Sequence, residues 1–146
     1  MIRLLCVGKL KEPHYAAAAG EYLKRLSRYV KVEVTEFREC TDKNPEVEKR
    51  KEAELILSKV PSGSYVVALD MRGKQQPSAE FSNILKKPDV VFIIGGPEGL
   101  ADEVYDAADF TLSLSALTFP HQLARVILFE QIYRGETILH GEKYHR

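Results

Sequence analysis

Residues 90–100 have the sequence Val-Val-Phe-Ile-Ile-Gly-Gly-Pro-Glu-Gly-Leu, an apolar run that leads directly into a glycine-rich loop. The five apolar residues from Val90 to Ile94 predict a strand buried on both faces of a parallel sheet. The glycines that follow allow the backbone of the loop to approach a ligand closely. Main-chain N–H and C=O groups suit a flat, polar heterocycle such as adenine, so the loop is a candidate wall of a binding pocket.

A second segment, residues 112–121, is a candidate for the opposite wall. Its sequence is Leu-Ser-Leu-Ser-Ala-Leu-Thr-Phe-Pro-His, and its apolar side chains could sandwich the ring of a heterocycle. The glycines of the first segment fit neither the G-x-G-x-x-G pattern of dinucleotide-binding folds nor the G-x-x-x-x-G-K-[ST] pattern of phosphate-binding loops. The two segments together therefore predict a cofactor pocket of another kind.

Strands and helices alternate along the whole chain. Apolar runs and turn signals predict strands at residues 2–7, 31–37, 65–69, 90–94 and 110–112. Helices are expected at about residues 15–29, 45–60, 78–86 and 101–108, with a long final helix after Pro120. This pattern predicts one α/β domain, residues 1–146, with a mostly parallel sheet and helices on both faces. Ligands of such sheets bind outside the carboxyl ends of the strands, where Leu69-Asp70 and Gly95-Gly96 lie.

The composition limits the possible functions. The chain has 146 residues, and 21 Lys and Arg are balanced by 21 Asp and Glu. Contact with RNA must therefore depend on local clusters or on a surface shared between chains. Cys6 and Cys40 lack the spacing of a zinc site or a redox pair. No charged leader and no span long enough to cross a bilayer are seen, so a cytoplasmic protein without membrane contact is expected.

The C-terminal tail combines residue types that suit a nucleotide. It ends in Lys143, Tyr144, His145 and Arg146. Most such termini are frayed and have no function, and that is the simplest interpretation. Tyrosine, histidine and arginine together, however, supply a stacking ring, a group that titrates near neutrality and a fixed cation, which holding a nucleobase and its phosphate requires.

Three motifs in this order resemble the ribosomal RNA large subunit methyltransferase H family of the SPOUT class. They are residues 94–100, residues 112–121 followed by Arg125, and the ending Tyr144-His145-Arg146, and residues 2–9 and 69–74 resemble the family as well. The resemblance implies an S-adenosylmethionine-dependent enzyme that needs no metal. It also implies methylation at N3 of a pseudouridine in 23S ribosomal RNA of assembled ribosomes, a homodimer, and a trefoil knot at the C-terminal end of the fold.

The resemblance also assigns site residues. The cofactor is expected to contact Leu69, Gly95, Leu114, Ser115, Ala116, Leu117, Thr118 and Phe119. In the catalytic hypothesis His145 or Tyr144 accepts the N3 proton, and Arg146 stabilises the negative charge that develops on the ring oxygens. His121 and Arg125 are further candidates, with a structural hydrogen bond and a structural ion pair as the respective alternatives.

The final helix bears on the assembly of the protein. Residues 126–129, Val-Ile-Leu-Phe, are apolar on every side of a helix, which suggests burial against a second subunit, with burial in the core as the alternative. A dimer could combine the cofactor pocket of one subunit with residues of the other. Two other functions stay open from the sequence: a non-catalytic ribosome-assembly or RNA-binding factor, and a small-molecule methyltransferase or nucleotide hydrolase.

Overall fold

The computed structural model describes residues 1–146. The fold is built on one five-stranded sheet. The strands are β1 (Ile2–Val7), β2 (Val32–Phe37), β3 (Tyr65–Lys74), β4 (Val90–Ile94) and β5 (Phe110–Leu112). Their order in the sheet is β2-β1-β4-β3-β5, and every neighbouring pair is parallel. The α/β prediction is confirmed, and the sheet is parallel throughout because each strand is followed by a helical crossover.

Helices cover both faces of the sheet, as predicted. They are α1 (Pro13–Leu26), α2 (Pro45–Leu57), α3 (Ser78–Phe81), α4 (Asp102–Ala107) and α5 (His121–Leu139), and a 3₁₀ turn spans Ile84–Lys86. One buried cluster joins the sheet to α1, α3, the 3₁₀ turn and α5, and the other joins it to α2 and α4. Where the sequence predicted a single helix at residues 78–86, the structure has the short helix α3 and the separate 3₁₀ turn.

The central position of β4 follows from its sequence. All five of its residues are buried, because β1 and β3 pair with it on either side and helices cover both faces. The edge strand β2 has mostly exposed residues, including Glu33 and Glu36. Charged side chains on an edge oppose pairing with another chain, so the sheet ends there.

A bulge shapes the end of β3. Leu69 and Lys74 both pair with Leu112, so residues 70–73 loop out of the ladder. A Cβ atom at Gly73 would lie 2.6 Å from the carbonyl oxygen of Thr111, so only glycine fits this approach of β3 to β5. The bulge leaves Asp70 and Met71 at the carboxyl edge of the sheet.

The final helix packs mainly within its own chain. Val126, Leu128 and Phe129 are buried in the core, and Ile127 is only partly covered. Core burial therefore accounts for most of the apolar run that suggested a subunit interface. No helix has the length and apolar character that crossing a membrane requires. The trefoil knot stays a prediction.

Candidate functional site

A cavity of about 260 Å³ opens at the carboxyl ends of β3, β4 and β5. This is where ligands of parallel sheets bind, and the volume is near the lower end of small-molecule pockets, roughly 300 Å³. Most of the predicted cofactor residues line it, namely Leu69, Gly95, Leu114, Ser115, Leu117, Thr118 and Phe119. Ala116 is the exception: it is exposed and does not line the cavity. Residues from two distant segments thus form one pocket, as the sequence predicted.

The glycine loop forms one wall in a tight turn. The N–H of Gly99 donates to the carbonyl oxygen of Gly96 at 3.0 Å, which encloses Pro97 and Glu98. Gly99 has a φ of 83°, a conformation that other residues rarely adopt. A Cβ atom on Gly95 would lie 2.7 Å from Leu100 Cδ2 and 2.8 Å from the carbonyl oxygen of Gly99. A side chain there would collide with the loop itself, so the shape of this wall depends on glycine.

The opposite wall is a loop held by serine hydroxyls. Ser113 Oγ donates to the carbonyl oxygen of Ser115 at 2.9 Å, and Ser115 Oγ accepts from the N–H of Leu117 at 3.0 Å. Such side-chain to backbone bonds fix a loop that has no regular structure. Leu117 is 72% exposed at the rim of the cavity. An apolar side chain in that position is available to cover a bound ring.

The two candidates on the final helix, His121 and Arg125, have different surroundings. His121 is exposed, lines the cavity and has no hydrogen-bond partner within the chain, so the structural alternative is not supported for it. Arg125 is 5% exposed. Its Nη1 lies 2.5 Å from Glu36 Oε2, and its Nη2 donates to the carbonyl oxygen of Gly8 at 2.9 Å. These contacts are the structural ion pair that the sequence left as the alternative: this buried arginine joins α5 to β1 and β2, and a catalytic role for it stays a prediction.

The tail folds back against the middle of α5. The ring of Tyr144 packs edge-on against Tyr133 with centroids 4.7 Å apart, and its hydroxyl donates to Glu130 Oε1 at 3.2 Å. Arg134 lies over the Tyr144 ring at 4.7 Å. Glu130 follows His121 at the cavity by nine positions of α5, a distance of about 14 Å at 1.5 Å per residue. Within one chain, the tail and the cavity are therefore apart.

The protonation of the tail limits its possible roles. Burial, together with hydrogen bonds to Tyr22 and Glu130, raises the pKa of Tyr144 to about 12. The phenol is therefore neutral near pH 7 in this conformation, and the role of Tyr144 as a proton acceptor stays a prediction. His145 Nδ1 lies 3.2 Å from Arg134 Nη1. Since arginine has only donors, this nitrogen accepts, and His145 carries its proton on Nε2 in this arrangement.

A carboxylate that the sequence did not assign to the site also lines the cavity. Asp70 follows Leu69 in the β3 bulge and accepts hydrogen bonds from Arg72 and from the hydroxyl of Tyr105. Burial alone would raise the pKa of Asp70, but these bonds outweigh it and lower the pKa. Its position directly after a strand, at the carboxyl edge of the sheet, is the signal by which sequence reasoning could have found it.

Comparisons with known proteins agree with this geometry. A family model described as "Predicted SPOUT methyltransferase" matches residues 1–145. A ribosomal RNA large subunit methyltransferase H from Caldicellulosiruptor saccharolyticus is 47% identical, with all of both chains covered. A protein of the same name from Clostridium novyi is 43% identical, with 99% of each chain covered.

Solved structures share the fold at low sequence identity. A probable methylase family protein from Haemophilus influenzae superimposes with a TM-score of 0.60 at 13% identity, covering 99% of this chain and 70% of that one. A tRNA (m1G37) methyltransferase from Aquifex aeolicus gives a TM-score of 0.57 at 15% identity, covering 91% of this chain and 69% of that one. These likenesses show that the fold is shared.

Proposed function

Because this chain belongs to the SPOUT methyltransferase family, with full-length relatives named ribosomal RNA large subunit methyltransferase H, we propose that it transfers a methyl group from S-adenosylmethionine to N3 of a pseudouridine in 23S ribosomal RNA. The observation that carries this proposal is the cavity at the carboxyl ends of three strands. Seven of the eight residues that the family resemblance assigns to the cofactor line it.

The residues of the cavity fit the proposed cofactor. The walls are apolar on the side of Leu114 and Phe119, and on the other side Gly95, Gly96 and Gly99 form a wall without side chains that would cover the main chain. Apolar walls suit the faces of an adenine ring, and main-chain groups suit its polar edge. When bound, S-adenosylmethionine would supply an activated methyl group. The chain's own residues then have to orient the acceptor and assist the loss of its proton.

The tail supplies groups of the kind that act on the acceptor base. Tyr144 offers an aromatic face and a neutral hydroxyl, and His145 offers an acceptor nitrogen, Nδ1, that would be free for the N3 proton if Arg134 moved away. Arg146 is exposed and has no ion-pair partner within the chain. A free guanidinium can bind a phosphate or stabilise negative charge on the oxygens of the base. We therefore assign Tyr144, His145 and Arg146 to the acceptor and the glycine loop to the cofactor.

A homodimer would bring these two groups together. The tail lies about 14 Å from the cavity along α5 of the same chain, too far for direct transfer. A second copy can place its tail at the cavity of the first, and it also adds the local basic groups that a chain of zero net charge needs for RNA. We propose assembled ribosomes as the substrate, which would make this a cytoplasmic enzyme.

The experiment is a transfer assay with purified protein and S-adenosylmethionine labelled in the methyl group. The substrates compared are intact ribosomes, protein-free 23S ribosomal RNA and free nucleosides. Label is expected on intact ribosomes, in the 23S RNA. Label on free nucleosides alone would favour a small-molecule methyltransferase. Binding to ribosomes without transfer, and without measurable cofactor affinity, would favour a non-catalytic assembly factor.

A further inference from the structure

One aspartate lines the proposed cofactor cavity. Asp70 is the only aspartate or glutamate among the residues that line it, and its side chain is 13% exposed. Its neighbour along β3 is Leu69, which also lines the cavity. The only other titratable side chain in the lining is His121, at the start of α5. The charge on the wall of the cavity is therefore set mainly by Asp70.

The position of this carboxylate is fixed by several donors. Asp70 Oδ1 accepts from the N–H of Arg72 at 2.7 Å and from its Nε at 3.2 Å. Asp70 Oδ2 accepts from Arg72 Nη2 at 3.3 Å and from the Tyr105 hydroxyl. Each oxygen has two donors, so the carboxylate has one orientation and stays ionised near neutral pH.

The arginine partner does not cancel this charge inside the cavity. Arg72 is 78% exposed and does not line the cavity, so water and salt screen its charge. Asp70 borders a mostly apolar space, in which its attraction for a cation is stronger than in bulk water. A cavity of about 260 Å³ is roughly as wide as one Debye length in physiological salt, about 8 Å. Any cation held within it therefore feels the carboxylate.

We propose that Asp70 is a specificity-determining residue, which makes the cavity favour the positively charged sulfonium donor over its neutral thioether product. This inference rests on the proposed function. In the reaction the N3–C bond forms, the C–S bond breaks with its electron pair left on sulfur, and the N3 proton leaves to an acceptor. The positive charge on sulfur is lost in that step, so the attraction acts before transfer and is absent afterwards. Asp70 then strengthens binding of the donor without strengthening binding of the product.

The proposal predicts that loss of the Asp70 carboxylate changes KM and kcat differently. The positive charge on sulfur already decreases in the transition state, so the attraction stabilises the bound donor at least as much as the transition state. Loss of the carboxylate should therefore raise KM for the donor without lowering kcat. A residue that only shaped the loop would change both.

The test is calorimetric titration of the wild-type protein and of Asp70→Asn with S-adenosylmethionine and with S-adenosylhomocysteine. We expect Asp70→Asn to weaken donor binding on the order of tenfold and to change product binding by less than about twofold. Asp106→Asn, an exposed charge on α4 next to Tyr105, should change neither. Equal weakening of both ligands by Asp70→Asn would overturn the proposal. A wild-type protein that binds neither ligand would instead contradict the proposed function.

A measurement on the unmodified protein keeps the proposal testable if Asp70→Asn does not fold. Salt screens the attraction for the sulfonium but has little effect on a neutral sulfur. In the wild-type protein, the affinity for S-adenosylmethionine relative to that for S-adenosylhomocysteine should therefore fall as the salt concentration rises from about 50 mM to 500 mM. A ratio that does not change with salt would overturn the proposal.

Discussion

Gly95 has no room for a side chain, because an added Cβ would lie under 3.0 Å from three atoms of the glycine loop. Gly95→Ala should therefore displace the loop and weaken S-adenosylmethionine binding by at least about tenfold in calorimetric titration. Gly20→Ala is the matched control, since Gly20 is exposed within α1 and nothing lies near its added Cβ. That variant should keep its affinity and gain up to about 1 kcal/mol of stability. Unchanged affinity in Gly95→Ala would mean that the cofactor binds elsewhere.

Glu52, which lies against the glycine loop, should make the stability of the fold depend on pH. This carboxylate is 4% exposed, contacts the N–H of Cys40 at 3.4 Å and lies against Gly96. Burial raises its pKa, and the nearby charges of Glu48 and Glu39 add to the effect. The pKa is thus higher in the folded state than in the unfolded chain, about 4.3. Ionised Glu52 therefore destabilises the fold above its folded pKa, and this cost disappears below the unfolded value.

Glu52→Gln keeps an acceptor for Cys40 and removes the charge. Its Tm at pH 7 should exceed that of the wild type by about 2–4 °C, and the difference should vanish as the pH falls to about 4. Thermal unfolding across this pH range measures both. A variant that is less stable than the wild type at every pH would show that the carboxylate has a stabilising partner.

At the level of elements, loss of the tail should affect methyl transfer, whereas a change in the glycine loop should affect cofactor binding. Deletion of Tyr144, His145 and Arg146 leaves the cavity intact, since none of them lines it. Methyl transfer to ribosomes should fall by at least about a hundredfold, the lower range for lost acid–base assistance, while S-adenosylmethionine affinity changes little. Lys143→Ala, an exposed neighbour, is the control. Wild-type transfer by the truncated protein would show that the tail has no function.

The strands were predictable because their signals are local. Residues 90–94 are apolar throughout, and a strand covered on both faces needs such a run, so its bounds agreed with the structure. The end of β3 was not predictable, because the bulge at residues 70–73 depends on pairing with β5, which lies about 40 residues later in the chain.

In the candidate site, too, the residues with local signals were predictable, and those that depend on contacts between distant segments were not. Gly95 and the loop from Leu114 to Phe119 were found from local motifs and the family resemblance. The structural ion pair of Arg125 could only be given as an alternative, because its partners, Glu36 and the carbonyl of Gly8, are about 90 and 117 residues away in sequence. Asp70 was placed at the ligand-binding edge of the sheet but was given no role, because its contacts with Arg72 and Tyr105 depend on the bulge and on a distant helix. Contacts between distant segments are what a single sequence reveals least.

At the level of the whole molecule, a shared active site predicts complementation between two inactive variants. Gly95→Ala disables the cavity, and the tail deletion disables the groups for the acceptor. If each site combines one cavity with the partner's tail, a heterodimer of these variants has one intact site and one doubly defective site. Co-expression with two different tags, double purification and a transfer assay should show about half of the wild-type activity. An inactive heterodimer, or a chain that sediments as an active monomer, would contradict the shared site.

The most direct test of the central proposal is mass-spectrometric mapping of 23S ribosomal RNA from cells with and without the gene. We predict that one pseudouridine carries an N3 methyl group when the gene is present, lacks it when the gene is deleted, and regains it when the wild-type gene is restored. The Gly95→Ala gene should fail to restore it. Identical modification maps from the two strains would contradict the proposal that this chain methylates ribosomal RNA.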